Sequence, residues 1–238
     1  MKRETLQRLV RWFIKTLTCT EFIGMENIPP TGGVILATNH MSRIDIPLLF
    51  TIPARPDITA LVTDKYQNYP FFKWFTITAG GIWIDRTKAD FAAFRMAAEV
   101  IAAGRALGIA PEGTRSEGLL LEGKSGTALL ALKTGVPVLP VGIAGTETCN
   151  TEWKHLRKPH LVVQIGLPLT FAPLERDTRD AQLLQYTTEI MCQIAAVLPE
   201  KYHGFYRGHP RLQQILAQTA SLVPPPPDPA GTVTYFLR

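Results

Sequence analysis

Cysteine is scarce in this sequence. Its three copies, Cys19, Cys149 and Cys192, form no CxxC pair and cannot all pair with one another. A disulfide scaffold and a cysteine-built zinc site are thereby excluded, and a reducing compartment is favoured. Long apolar runs are missing too. A spanning helix needs roughly 20 apolar residues. The longest candidate, residues 71–84, is interrupted by Lys73 and by Gly80-Gly81. No signal-peptide pattern opens the chain: the first basic residues run through the apolar ones, and no small-residue cleavage site follows. The expectation is a cytoplasmic protein that does not span a membrane, with attachment to a membrane surface left open. A strong charge of either sign is also lacking. Lys and Arg number 25 against 20 for Asp and Glu, a net charge of +5. An excess this small serves anionic lipid, nucleic acid or an acidic small molecule equally and selects none of them.

What is present is a folded chain. With 238 residues, 46% of them apolar and 19% charged, it has the length of one α/β domain and buries enough surface to need no staple. Residues 2–18 read as a helix. Leu6, Leu9, Val10, Phe13 and Leu17 share one side, and Arg8, Arg11 and Lys15 fall opposite. Such a helix either lies in a membrane interface, where each basic residue contributes on the order of 1 kcal/mol, or packs on its own domain. Trp12 and Phe13 beside the basic residues leave the two readings even.

From residue 33 the chain alternates between strand-like and helix-like runs. Strands are expected at 33–38, 58–63, 81–84, 107–110, 136–143 and 161–165. Helices are expected at 45–52, 90–103, 125–133 and 181–197, with Asp45 as a cap of the first and Gly135 stopping the third. This alternation predicts an α/β domain with a largely parallel or mixed sheet flanked by helices, preceded by the amphipathic helix. Pro224 to Pro227 with Pro229 permit neither helix nor central strand, so an extended or disordered tail is expected beyond Val223. The expected organisation is an interface helix over 1–24, one domain over 25–222 and a proline-rich tail over 223–238.

Three polar clusters follow three of these strands: Asn39-His40-Met41-Ser42-Arg43-Ile44-Asp45, then Asp85-Arg86, then Pro111-Glu112-Gly113-Thr114-Arg115-Ser116. Ligands of open α/β sheets bind outside the carboxyl ends of strands, where three clusters can share one crevice. His40 in a loop and Asp45 opening the next helix suit a carboxylate that fixes the imidazole tautomer and leaves the other ring nitrogen to accept a substrate proton. The pair is two-thirds of a hydrolytic triad, with a substrate hydroxyl in place of the enzyme serine. Taken alone, a loop histidine and a helix cap are the commoner reading. Ser42 lacks the Gly-x-Ser-x-Gly elbow and is discounted as a nucleophile. Arg86 and Arg115 present forks suited to phosphate, Gly113 permits close backbone approach, and Thr114 adds a hydroxyl. The competing account pairs Arg86 with Asp85, and Arg115 with Glu112 or Glu117, on a wet surface.

These residues resemble the glycerolipid acyltransferases in four ordered blocks. Asn39-His40 with Ser42 and Asp45 looks like N-H-x-S-x-x-D. Residues 80–86 resemble G-x-x-x-I-D-R, residues 111–116 resemble P-E-G-T-R-S, and residues 136–141 resemble V-P-V-x-P-V. Ala110 stands where the family usually has Phe, and Trp83 where Phe is common. The resemblance implies transfer of a fatty acyl group from a thioester, on coenzyme A or acyl carrier protein, to a hydroxyl of lysophosphatidic acid or a related lysolipid in phospholipid synthesis. It implies His40 as general base and Asp45 as its orienter. Glu112, Gly113 and Thr114 join Arg86 and Arg115 in holding the acceptor, with the arginines on its phosphate. The implied chemistry needs no metal, no cofactor beyond the acyl carrier and no nucleic acid. It places the protein peripherally on the cytoplasmic face of a membrane, docked through the basic helix, with the aromatic segment 69–75 as a second contact or a buried helix. The other readings are a non-catalytic lipid-binding protein and a thioester hydrolase. Residues 118–125 also match the Walker A pattern G-x-x-x-x-G-K-[ST]. A polar stretch precedes them where a strand should, and three leucines fill the loop, so a nucleotide site is not expected. His155, His160, His203 and His209 have no visible partners and read as structural or surface.

Overall fold

The computed structural model of the protein describes residues 1–88 and 90–222, with side chains as far as residue 219. The proline-rich tail expected at 223–238 lies outside the described residues.

Among the described residues, seven strands form one sheet. In chain order they are β1 (Cys19–Ile23), β2 (Val34–Thr38), β3 (Thr59–Thr63), β4 (Ile82–Ile84), β5 (Ala106–Ile109), β6 (Val138–Ala144) and β7 (His160–Ile165). Their order across the sheet is β1-β7-β6-β2-β5-β3-β4. All neighbours are parallel except β6 and β7, which run antiparallel. The fold is therefore a mixed α/β sheet flanked by helices. The helices are α1 (Arg3–Leu17), α2 (Asp45–Phe50), α3 (Pro70–Ala79), α4 (Phe91–Ala102), α5 (Gly126–Thr134), α6 (Cys149–Lys154), α7 (Arg179–Ala196) and α8 (Pro210–Leu222).

The central strand β2 is buried along its whole length, as a sheet covered on both faces requires. Its side chains alternate. Ile35 and Ala37 join the cluster under α4, α5, α7 and α8, while Val34 and Leu36 join the cluster under α2. Because β2 lies between β5 and β6, the chain leaves it through α2 toward β3 on one side and returns through α5 to β6 on the other. That reversal opens a crevice at the carboxyl ends of β2, β5 and β6. The register aligns Ala37 with Ile109 and Thr38 with Val141, so the loops following these three strands emerge side by side.

The helix expected over 2–18 is present as α1, but the 1–24 segment is not helix throughout. The helix stops at Leu17, and residues 19–23 add edge strand β1 beside β7. The apolar stripe of α1 is also divided. Leu6 and Val10 pack with Phe50, Ala79 and Phe75, whereas Leu9, Phe13 and Leu17, with Trp12, are exposed. Polar contacts latch the helix in place. Gln7 Nε2 donates to the Phe50 and Pro56 carbonyls at 3.0 Å each, and the Arg3 guanidinium donates to the carbonyls of Pro56, Ile58 and Ala79. The aromatic segment over 69–75 is half of helix α3, with Tyr69, Phe71, Trp74 and Ile77 exposed beside α1. No described helix is long and apolar enough to cross a membrane.

Candidate active site

The loop after β2 brings His40 and Asp45 together. His40 Nδ1 lies 2.9 Å from Asp45 Oδ2, and both side chains are nearly buried. Asp45 is not the cap of α2; Ile44 holds that position, and Asp45 is the first helical residue. Its carboxylate turns back into the loop instead. Oδ2 also accepts the Met41 amide at 2.8 Å and the Ser42 amide at 2.7 Å, and Oδ1 accepts the Thr146 hydroxyl at 2.6 Å. A carboxylate with this many partners is held in one place. It fixes the proton of His40 on Nδ1 and leaves Nε2 free to accept another.

The backbone of His40 is clamped from the loop after β5. Glu112 Oε1 accepts the His40 amide at 2.9 Å and Oε2 accepts the Leu121 amide at 2.9 Å, while the Ser116 amide donates to the His40 carbonyl at 2.8 Å. Asn39 fastens the same loop to β6. Its Nδ2 donates to the Ile143 carbonyl and its Oδ1 accepts the Ile143 amide, both at 2.8 Å. Burial pushes the Glu112 carboxyl up to about 7, against the opposing pull of the His40 and Leu121 amides. The expected acceptor-binding role of Glu112 is thus not where its oxygens are spent; they position His40. Thr114 is exposed and lines neither cavity described below.

Two cavities meet at His40. One, of about 290 Å³, is apolar, walled by α1, α2 and α3, with Phe13, Phe71, Phe72 and Phe75 among its lining and Arg43 and Arg115 beside His40. The other, of about 490 Å³, lies over the carboxyl ends of β2, β4 and β5 and is lined by His40, Asp45, Arg86, Gly113 and Lys124. Arg86 and Arg115 sit close enough that Arg115 opposes the charge of Arg86. Burial is the larger cause holding the Arg86 guanidinium below its ordinary range. Neither arginine has an ion-pair partner among the described residues. Asp85 is taken by Lys88 at 3.3 Å and by Thr87, which removes the wet-surface account of Arg86. Glu112 faces amides, which removes the same account of Arg115. Gly113 adopts φ +70, and a Cβ there would meet the Lys124 side chain at 3.1 Å.

Sequence reasoning missed Thr146. It follows β6 as the polar clusters follow β2, β4 and β5, so the same rule applied to the next strand finds it. Cys149 lies near Asp45, but burial pushes its thiol up to about 11, so it is not a thiolate nucleophile at neutral pH. The first part of the Walker-like stretch packs against residues 202–206. Leu120 is buried and exchanges backbone hydrogen bonds with Tyr202 and Phe205, and Gly123 donates to the Tyr206 hydroxyl at 3.0 Å. Of the remaining histidines, His203 is buried against the Leu198 carbonyl at 3.0 Å and His209 Nδ1 lies 3.6 Å from Cys192 Sγ.

Residues 19–144 match the family model Acyltransferase. The chain is 36% identical over 126 residues to the 1-acyl-sn-glycerol-3-phosphate acyltransferase of Borreliella burgdorferi, covering 52% of this chain and 50% of that protein. It is 31% identical over 163 residues to the enzyme of the same name from Saccharomyces cerevisiae, covering 65% and 53%. It therefore spans about half the length of the curated relatives it matches. Its fold matches the crystal structure of the 1-acyl-sn-glycerophosphate (LPA) acyltransferase PlsC from Thermotoga maritima. That match has a TM-score of 0.62 and 26% identity, over 82% of this chain and 78% of that one.

Proposed function

The chain belongs to the acyltransferase family, and from that premise we propose that it moves a fatty acyl group from an acyl thioester to a hydroxyl of lysophosphatidic acid or a related lysolipid, in phospholipid synthesis. The observation that carries the reading is the His40–Asp45 pair at the junction of an apolar and a cationic cavity. A thioester is already activated, so the protein has only to deprotonate a hydroxyl, align it and stabilise the oxyanion. His40 Nε2 takes the hydroxyl proton, and Asp45 stabilises the imidazolium that results. The acceptor oxygen bonds to the thioester carbonyl carbon, the carbon–sulfur bond breaks, and the departing thiolate recovers the proton from His40. The acyl chain occupies the apolar cavity, and Arg86 and Arg115 face the acceptor phosphate. The carrier is coenzyme A or acyl carrier protein.

Both lipids reside in a bilayer, because each buried methylene is worth about 0.8 kcal/mol. We place the protein peripherally on the cytoplasmic face. The support is the exposed apolar strip of α1 and α3, with Arg8, Arg11 and Lys15 exposed and without ion-pair partners among the described residues. Both helices line the apolar cavity.

The decisive variant is His40→Ala, assayed for diacyl product and free fatty acid separately. Turnover to diacyl lipid is expected to fall about 10²–10⁴-fold, the usual worth of a general base, with vesicle binding retained. Undiminished transfer overturns the reading, and free fatty acid as the main wild-type product makes the protein a thioesterase instead.

A further inference from the structure

Helix α5 begins without a cap. Ser125 at its N-cap makes no side-chain hydrogen bond to the helix, and no side chain among the described residues accepts from the amides of the first turn. Thr127, in that turn, is 1% exposed and its Oγ1 has no hydrogen-bond partner among the described residues. A buried helical threonine ordinarily bonds the carbonyl one turn back, as Thr134 does in the same helix at 2.7 Å from Leu130 O. Thr127 lines the 490 Å³ cavity together with Lys124, Ser125 and Gly126. Lys124 lies over Gly113, and no ion pair among the described residues neutralises it. Nothing would meet a Cβ at Gly126 within 4 Å, so the helix end opens onto free space.

We propose that the amino end of α5, with Lys124, Ser125 and Thr127, is the seat of a phosphate monoester, the phosphate of the acyl acceptor. The inference rests on the acyltransferase reading and adds residues to it. Amides and dipole at a helix start favour an anion, an ammonium over the Gly113 turn supplies countercharge, and a buried hydroxyl gains its missing partner. Arg86, in the same cavity, closes the seat from the end of β4. The seat belongs to the acceptor rather than the carrier because His40 lines the same small cavity. A glycerol phosphate holds its phosphate a short backbone away from the hydroxyl that His40 deprotonates. A pantetheine arm carries its phosphate much farther from the thioester. The Gly-Lys-Ser ending of the Walker-like stretch here meets a helix start, so the same anion-binding physics operates without a nucleotide loop.

The test uses Lys124→Ala, Lys124→Gln and Thr127→Val in the full chain. For each variant, KM is measured for lysophosphatidate, for monoacylglycerol and for the thioester, and thermal protection is measured with glycerol 3-phosphate. Loss of one charge-assisted contact is expected to raise KM for lysophosphatidate about tenfold. Selectivity over monoacylglycerol collapses by the same factor, and protection by glycerol 3-phosphate is lost. Thr127→Val replaces an unpartnered hydroxyl with a methyl, so it folds and does not lower Tm. A raised thioester KM with unchanged lysophosphatidate KM overturns the proposal in favour of the carrier's phosphate. Unchanged constants in folded variants overturn it outright. Were no acceptor acylated by the wild type, the acyltransferase reading would fall, while Lys124-dependent protection by glycerol 3-phosphate would still support the seat.

Discussion

A carboxylate that accepts from an imidazole, two amides and a hydroxyl has little freedom to swing, and this holds the His40 ring in one orientation at no cost during turnover. The same economy operates at Glu112, with a pH consequence. Its folded pKa of about 7 is raised above the ordinary carboxyl value of 4.5 by burial. The folded state therefore favours the protonated acid. That stabilising preference is complete below about pH 4.5 and is lost as pH rises through about 7. Glu112→Gln removes the titration and one of the two amide acceptors. The denaturation midpoint of the variant is expected to lie below that of wild type in mild acid, with the gap narrowing steadily as pH climbs toward 8. A gap that widens over that range would mean that the Glu112 carboxyl is held ionised in the folded protein.

At the scale of elements, α1 and α3 are where sequence and structure speak most differently. Periodicity identified the helix and its stripe correctly, but no local rule divides a stripe into a buried and an exposed part. Burial of Leu6 and Val10 against Phe50 and Phe75 depends on chain 40 or more residues away, which periodicity cannot see. The strands β2, β5 and β6 were legible because full or nearly full burial makes them continuous apolar runs. Edge strand β1 was not, because half its residues are exposed and nothing marks them off from the helix before. Helix α8 escaped for a similar reason: only Leu212 and Ile215 are buried among its described side chains. The site was legible where polar residues directly followed a recognised strand; Thr146 follows β6 in the same way, but its role comes from a partner at Asp45 that the sequence does not show. The exposed strip yields a prediction of its own. Trp12 and Ile77 are exposed and line neither cavity. Trp12→Glu with Ile77→Glu should leave Tm within about 2 °C of wild type and weaken sedimentation with anionic vesicles by roughly tenfold or more, since each buried apolar side chain is worth about 1.5–3 kcal/mol. Undiminished vesicle binding would mean that the exposed strip of α1 and α3 is not a membrane-docking surface.

Across the whole molecule, the two ends of the sheet carry different burdens. The carboxyl ends hold the His40–Asp45 pair beside Arg86, Arg115 and Lys124, which have no ion-pair partner among the described residues. The amino ends are locked by Arg55, which is 1% exposed. Its guanidinium donates to the carbonyls of Pro29, Gly32 and Gly104 at 2.8, 3.0 and 2.9 Å and pairs with Asp57 at 2.6 Å. Those carbonyls belong to the loops entering β2 and β5, and Asp57 to the loop entering β3. One side chain therefore ties three parallel strands together on the side away from the chemistry. Removing it strands buried carbonyls and leaves Asp57 without its partner, a loss of about 3 kcal/mol. For a domain of this size that corresponds to a Tm lower by roughly 6–12 °C. Arg55→Ala should show that drop in a thermal melt while kcat/KM, measured well below the transition, stays within about twofold of wild type. A kinetic defect without a stability defect would mean that the amino-end lock is coupled to the site through β2, and that the two ends are not independent.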